Sequence, residues 1–256
     1  MELYYREFGQ GAPVIILHGL LGFSDNWQTI AKALADEHLV ITPDLRNHGR
    51  SPHMPSHTYR EMAEDLGHFL DQHGIYATAL VGHSMGGKVA MHFALEHPDR
   101  VERLVVVDIA PTAAAPGNHE HIFQALMALD ISRLQTREEA DLFLQKYIPE
   151  AAIRQFLLKN LTRNPDGSFA WKMNLPVLWK HYSDILAPVE GSEPFDRPVL
   201  FVRGGRSNYI RDSDVGAIRA LFPRARLETI EGAGHWVHAD KPQELLALLR
   251  PFLQGQ

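Results

Sequence analysis

Tyr76-Ala-Thr-Ala-Leu-Val-Gly82-His83-Ser84-Met85-Gly86-Gly87 runs from a short apolar strand into a helix whose apolar residues, from Lys88 to Leu95, recur at helical spacing. A serine between two such elements sits on a sharp strand-to-helix turn. Its hydroxyl is lifted clear of the sheet, and the next residue's N–H is left free at a helix N-terminus. Gly82 and Gly86 flank a serine in strained backbone geometry, and Gly87 lets the helix pack close to the strand. Gly-x-Ser-x-Gly is a weak pattern on its own, but this setting makes it specific and predicts a nucleophile elbow centred on Ser84.

Outward from that turn, apolar runs of strand length alternate with helical patterns, the signature of a mostly parallel sheet covered by helices on both faces. Val14 to Leu17, Leu39 to Thr42, Tyr76 to Val81, Arg103 to Val107, Pro198 to Val202 and Arg226 to Ile230 read as strands, with Leu3 to Phe8 as an added edge strand. Helical faces recur at Asp25 to Ala35, where Asp25 and Gln28 are spaced as a capping box, at Tyr59 to Gln72, and in a last helix opening near Pro242. Between Asp108 and Arg197 the alternation breaks. Helical spacing appears at Ile122 to Leu129, at Ala140 to Tyr147 and at Ile153 to Leu161, followed by a turn at Asn164-Pro-Asp-Gly167 and the alternation Phe169, Trp171, Met173. The expected α/β core is residues 1–111 and 191–256, with residues 112–190 as a helical cap inserted after the strand ending at Asp108. Such a cap lies over the crevice at the carboxyl ends of the strands, where open α/β sheets bind ligands.

Composition narrows the function. The chain has 256 residues, 45% of them hydrophobic, and its 25 Lys plus Arg against 31 Asp plus Glu leave a formal charge of −6 with no basic block. That balance argues against a nucleic-acid partner. No apolar run approaches the roughly eighteen residues that span a bilayer, and Met-Glu-Leu-Tyr-Tyr-Arg lacks the layout of a signal peptide. The expectation is a protein of the cytoplasm with no membrane partner. The absence of Cys excludes disulfides and cysteine nucleophiles. The 15 His invite a metal reading. His119-Glu120-His121 begins like a zinc-protease helix, but Phe123 stands where the second ligand belongs. His235 and His238 have no Cys or carboxylate partners nearby in sequence, so no metal site is expected.

A serine hydroxyl is a poor nucleophile until a base takes its proton, and the base needs an acid to orient it. His235 is the candidate base: it lies in Gly232-Ala-Gly-His-Trp236, directly after the last strand and at the same sheet edge as Ser84. His83 and His238 read as structural. The oxyanion of a tetrahedral intermediate needs N–H donors. Met85 supplies one, and Leu20, in His18-Gly-Leu-Leu-Gly22 after the first buried strand, supplies the other. Arg46, Asn47 and His48, after the second strand, are placed to brace that loop.

His-Gly after the first strand, Asp44-Leu-Arg-Asn-His-Gly-Arg-Ser51, Gly-His-Ser-Met-Gly-Gly and Gly-Ala-Gly-His resemble the α/β-hydrolase superfamily over nearly the whole chain. Within it, Arg46-Asn-His-Gly49, Asp108-Ile-Ala-Pro111 and Gly234-His-Trp-Val-His238 are similar to bacterial YbfF-type esterases. The resemblance implies an α/β-hydrolase fold with a helical cap, no cofactor, and hydrolysis of carboxylic esters with short to medium acyl groups, acyl thioesters included. Carbon–carbon bond hydrolysis or a lyase reaction on the same triad is the enzymatic alternative. The alternative of another class is a non-catalytic ligand-binding protein, which would ordinarily lose one of the reactive groups. Most of the superfamily carries its acid in a Gly-x-x-Asp pattern after the strand at Pro198 to Val202, but here Gly204-Gly-Arg206 is followed by Ser207. Asp108 closes the apolar run Leu104-Val-Val-Val107, where an unpartnered carboxylate is costly, and is the favoured acid. Asp212 and Asp214 are its rivals. The YbfF-type resemblance implies Asp108 too, with Ser207 as a fourth member. Phe123, Phe143, Phe156, Trp171 and Trp179 are expected mainly to form the core of the insertion rather than a pocket wall.

Overall fold

The structure, a computed structural model, describes residues 1–115 and 119–256; residues 116–118, which fall inside the expected cap, lie outside the described residues. In chain order, β1 (Tyr5–Phe8), β2 (Pro13–Leu17), β3 (Leu39–Pro43), β4 (Thr78–His83) and β5 (Val101–Val107) come first. A hairpin, β6 (Leu161–Arg163) and β7 (Phe169–Trp171), precedes β8 (Val199–Gly204) and β9 (Ala225–Ile230). The main sheet has the order β1-β3-β2-β4-β5-β8-β9. All its neighbours pair in parallel except the edge strand β1, which runs antiparallel to β3.

The period-two alternation within each strand divides the core. Ile15, Leu17, Ile41, Leu80, Val106 and Phe201 face α2 (Tyr59–Gln72), α3 (Met85–Glu96) and α9 (Val215–Leu221). Val14, Ile16, Val40, Val81, Val105 and Val202 face α1 (Gln28–Leu34), α10 (Val237–Asp240) and α11 (Pro242–Gln254). Strands buried on both faces are the reason these runs are continuously apolar. Thr58 caps α2 in a reciprocal box with Glu61.

Between β5 and β8 the chain forms α4 (Glu120–Ala128), α5 (Arg137–Leu144), α6 (Ala151–Leu158), the β6–β7 hairpin, α7 (Leu175–Lys180) and α8 (Tyr182–Leu186). The two ends of this segment meet, with the Val189 N–H donating to Pro111 O at 2.7 Å. The Lys88 ammonium holds both by donating to the carbonyls of Thr112 and Ala187. Toward the sheet, the Tyr59 hydroxyl donates to Ile185 O at 2.7 Å and Asn160 Nδ2 to Leu21 O at 2.7 Å.

Two local expectations need correction, and three short helices left no pattern in the sequence. Asp25 and Gln28 do not form a capping box: Ser24–Trp27 is a 3-10 turn, Asp25 pairs with Arg6, and Asn26 accepts the Phe23 N–H at 2.8 Å. The tighter winding puts Asp25 inside the turn rather than ahead of it. Leu161 belongs to β6 rather than to the preceding helix. The short helices α7, α8 and α9 were not anticipated; at five to seven residues they are too short to carry a periodic signal.

The elbow glycines are set by contact distance. A Cβ on Gly86 would lie 2.5 Å from Leu17 O, and one on Gly82 would lie 2.3 Å from Gly86 O. Gly86→Ala is therefore expected to cost about 1–3 kcal/mol or more by urea unfolding. Gly216→Ala, on α9 where a Cβ meets nothing within 4 Å, should stabilise by roughly 0.5–1 kcal/mol in the same assay.

Candidate active site

Ser84 links β4 to α3 with φ 51° and ψ −120°, and its N–H donates to Val107 O at 3.0 Å. With the sheet parallel here, the loops after β2, β4, β5, β8 and β9 all emerge at one edge. Ser84 Oγ lies 3.0 Å from His235 Nε2, and His235 Nδ1–H donates to Asp108 Oδ2 at 2.8 Å. His235 arrives on the loop after β9. A Cβ on Gly204 would lie 2.3 Å from Gly234 O, so a glycine is required for that loop to approach β8 so closely.

Asp108 is fully buried at φ 54°. Its carboxylate accepts from three donors: the Gly204 N–H at 2.9 Å on Oδ1, and His235 Nδ1–H together with the Ser207 hydroxyl on Oδ2. A buried carboxylate with this many donors is partnered rather than stranded. Asp212 is exposed and pairs with Arg203, while Asp214 accepts from Thr112 Oγ1 and the Arg211 N–H. It is Asp108, not either rival, that reaches His235.

Gly19 to Gly22 form a turn closed by the Gly22 N–H on Gly19 O at 3.0 Å. The Leu21 N–H within it donates to His48 Nε2 at 3.2 Å, which leaves the Leu20 N–H as the turn's uncommitted central donor. The Met85 N–H opens the first turn of α3, where no intrahelical acceptor exists. His18 and His48 are braces. Each donates through Nδ1 to a backbone carbonyl, of Gly19 and Arg46 respectively, and accepts a backbone N–H through Nε2. Those bonds require neutral rings, and burial lowers the pKa of both, His48 well below its ordinary value. Arg46 makes a bidentate pair with Asp65 at 2.6 and 2.9 Å, and Asn47 accepts the Met54 N–H at 2.7 Å.

Of the other neighbours, His83 and His238 take the structural places expected of them, while Tyr209 carried no sequence signal. Tyr209 stacks on the His235 ring at 3.9 Å, and the His83 Nε2–H donates to the His235 carbonyl at 2.8 Å. His238 stacks on Trp27 at 4.3 Å behind that pair. The space above Ser84 has two lobes. One is lined by Trp27, Ile122, Ile153, Phe156, His235 and Trp236 among others. The other is lined by Tyr59, Met85, Ile109, Ile185, Leu186 and Tyr209 among others. Of the aromatics in residues 112–190, Phe156 faces the first lobe. Phe123 and Trp179 pack together at 5.4 Å away from it, Phe143 packs on Tyr147, and Trp171 is a partly buried part of the core. Among the described residues no His, Asp or Glu cluster is arranged to hold a metal ion, and no helix is long and apolar enough to cross a membrane.

Residues 12–242 match the alpha/beta hydrolase fold family. The chain is 45% identical over 247 residues to the sn-1-specific diacylglycerol lipase ABHD11 of Mus musculus, covering 94% of this chain and 80% of that protein. It is 40% identical over 242 residues to the esterase YbfF of Escherichia coli (strain K12), covering 94% and 93%. The solved structure of a marine microorganism esterase superposes with a TM-score of 0.97 at 43% identity, covering 98% of this chain and 99% of that one.

The buried imidazoles generate a pH prediction. Burial pushes His57 and His238 down to about 3 and lowers His83 well below 6.5. A histidine held neutral in the fold takes up its proton only on unfolding, so its contribution is fully present above about pH 6.5 and is lost as pH falls below it. Unfolding free energy should drop below pH 6.5 by up to roughly 1.4 kcal/mol per pH unit for each such ring. Urea titrations at pH 8, 6 and 5 test this, and His57→Gln should make the decline shallower by about one ring's share.

Proposed function

This chain belongs to the α/β-hydrolase family, and from that premise we propose that it is a carboxylic ester hydrolase working through an acyl-enzyme on Ser84. The observation that carries the reading is the unbroken relay Ser84 Oγ, His235, Asp108, at 3.0 and 2.8 Å, opening on a cavity. The relatives named esterase and diacylglycerol lipase support the same class of substrate.

In this reading His235 Nε2 takes the Ser84 proton as Oγ attacks the ester carbonyl, and the Leu20 and Met85 N–H groups receive the oxyanion. Asp108 holds the Nδ1 proton and stabilises the imidazolium, with Ser207 donating to the same carboxylate oxygen. Collapse passes the proton from His235 to the departing alkoxide, and water then repeats the sequence on the acyl-enzyme. The leaving oxygen or sulfur must meet His235, which lines only the lobe beside Trp236; we place the alcohol or thiol portion there. The acyl chain, of short to medium length, takes the lobe beside Met85. Residues 112–190 act as the cap that closes both. The substrates are small molecules, and the location proposed with them is the cytoplasm.

An alkyl phosphonate should label the protein once, on Ser84, and Ser84→Ala should abolish labelling and ester turnover together; turnover at the parental rate would overturn the proposal. Asp108→Asn should lower kcat by about 10⁴, as when a triad acid becomes an amide. Asp212→Asn should be mild, and Ser207→Ala should cost about tenfold or less, the worth of one neutral hydrogen bond. Preferential turnover of a diketone over esters would move the chemistry to carbon–carbon cleavage.

The lobe assignment has its own test in kcat/KM across graded substrates. Ile185→Trp should shorten the accepted acyl chain without altering alcohol preference, and Phe156→Ala should relax alcohol preference without altering acyl length. Exchange of the two outcomes would reverse the assignment.

A further inference from the structure

The two lobes share three lining residues, Leu20, Ser84 and His119. Two of these are the nucleophile and an oxyanion donor of the proposed reaction. The third comes from the opposite side, from the segment between β5 and β8, where His119 precedes α4. Its backbone N–H donates to the Tyr182 hydroxyl at 3.3 Å, and its ring lies between those of Tyr182 and Tyr209, at 6.4 and 6.3 Å. Among the described residues the ring nitrogens of His119 have no hydrogen-bond partner. Burial, reinforced by His235 and His121, lowers its pKa to about 4, so the ring is neutral at ordinary pH. A neutral imidazole presents one N–H donor and one bare nitrogen acceptor. The lobes it borders are lined by the apolar Ile109, Ile122, Ile185 and Leu186 as well as by Ser84.

His119 is half-buried, so these two groups are open to the cavity and can bond a ligand that fills the junction. We propose that His119 is a specificity-determining residue that hydrogen-bonds a hydroxyl or carbonyl carried one or two atoms from the scissile ester. The preferred substrates are then esters with a second oxygen function beside the bond that breaks. This rests on the ester hydrolase reading and deepens it. The relay of Ser84, His235 and Asp108 does not include His119, so its removal should alter discrimination between matched esters more than the chemistry itself.

The test uses matched pairs that differ by one hydroxyl on either side of the ester. 2-Hydroxyethyl butyrate is set against propyl butyrate, and ethyl 2-hydroxybutyrate against ethyl butyrate. The kcat/KM ratio within each pair is measured for the parent, His119→Phe and His119→Gln, with His119→Ala in reserve should the phenylalanine not fold. Taking the ratio within a pair cancels changes that a variant makes to both members. His119→Phe should lower the hydroxylated-to-plain ratio roughly three- to tenfold in at least one pair, while His119→Gln, which keeps a donor and an acceptor, retains most of it. The affected pair tells which side of the ester carries the recognised group. Turnover of all four esters with unchanged ratios in every variant would overturn the inference alone. Turnover of none by the parent would overturn the ester hydrolase reading and this inference with it.

Discussion

The first turn of α3 is wedged against the ends of β2 and β4, and the distances there leave no room for a side chain on Gly82 or Gly86. Much else follows from that contact. It forces Ser84 to a positive φ, so the serine points out of the sheet and the Met85 N–H faces the loop after β2. The four non-glycine residues with positive φ among the described residues are Leu21, Asn47, Ser84 and Asp108, and all four lie in this one region. Strained backbone persists only where its surroundings over-determine it. Here those surroundings are the neutral histidines His18 and His48, which hold the Gly19–Gly22 turn by its backbone, and the Arg46–Asp65 pair behind them.

The buried carboxylate of Asp108 is the second organising element. From the end of β5 it ties the end of β8 to the His235 loop by accepting from both. In most of the superfamily the acid follows the strand equivalent to β8. In this chain Ser207 stands there, and the carboxylate that reaches His235 is displaced one strand inward, to Asp108. The move preserves reach because β5 lies between β4 and β8, so a carboxylate on either strand approaches the same imidazole from adjacent positions. Ser207 then donates to Asp108, so a neutral residue in the usual acidic position still feeds the same oxygen.

Much of this was legible in the residues. Seven apolar runs became seven strands of one sheet, and the strand–Gly-x-Ser-x-Gly–helix order placed Ser84 within a residue, because those patterns follow from burial and backbone sterics that act over a few positions. Errors came where local spacing supports two windings. Asp25 and Gln28 match a capping box until the 3-10 turn draws Asp25 to Arg6, and α7 to α9 are shorter than the period needed to detect them.

The sequence by itself determined the layered fold, the serine at its turn and the histidine after the last strand, since each is written in contiguous residues. Only the tertiary structure decided which acid reaches His235, because Asp108 and Asp212 differ by distance in space and not by local pattern. Only it put His119 at the junction above Ser84. In the sequence that residue is half of a failed metal motif; in the fold it lines both lobes together with Ser84, because the segment between β5 and β8 returns over the sheet edge from which it left.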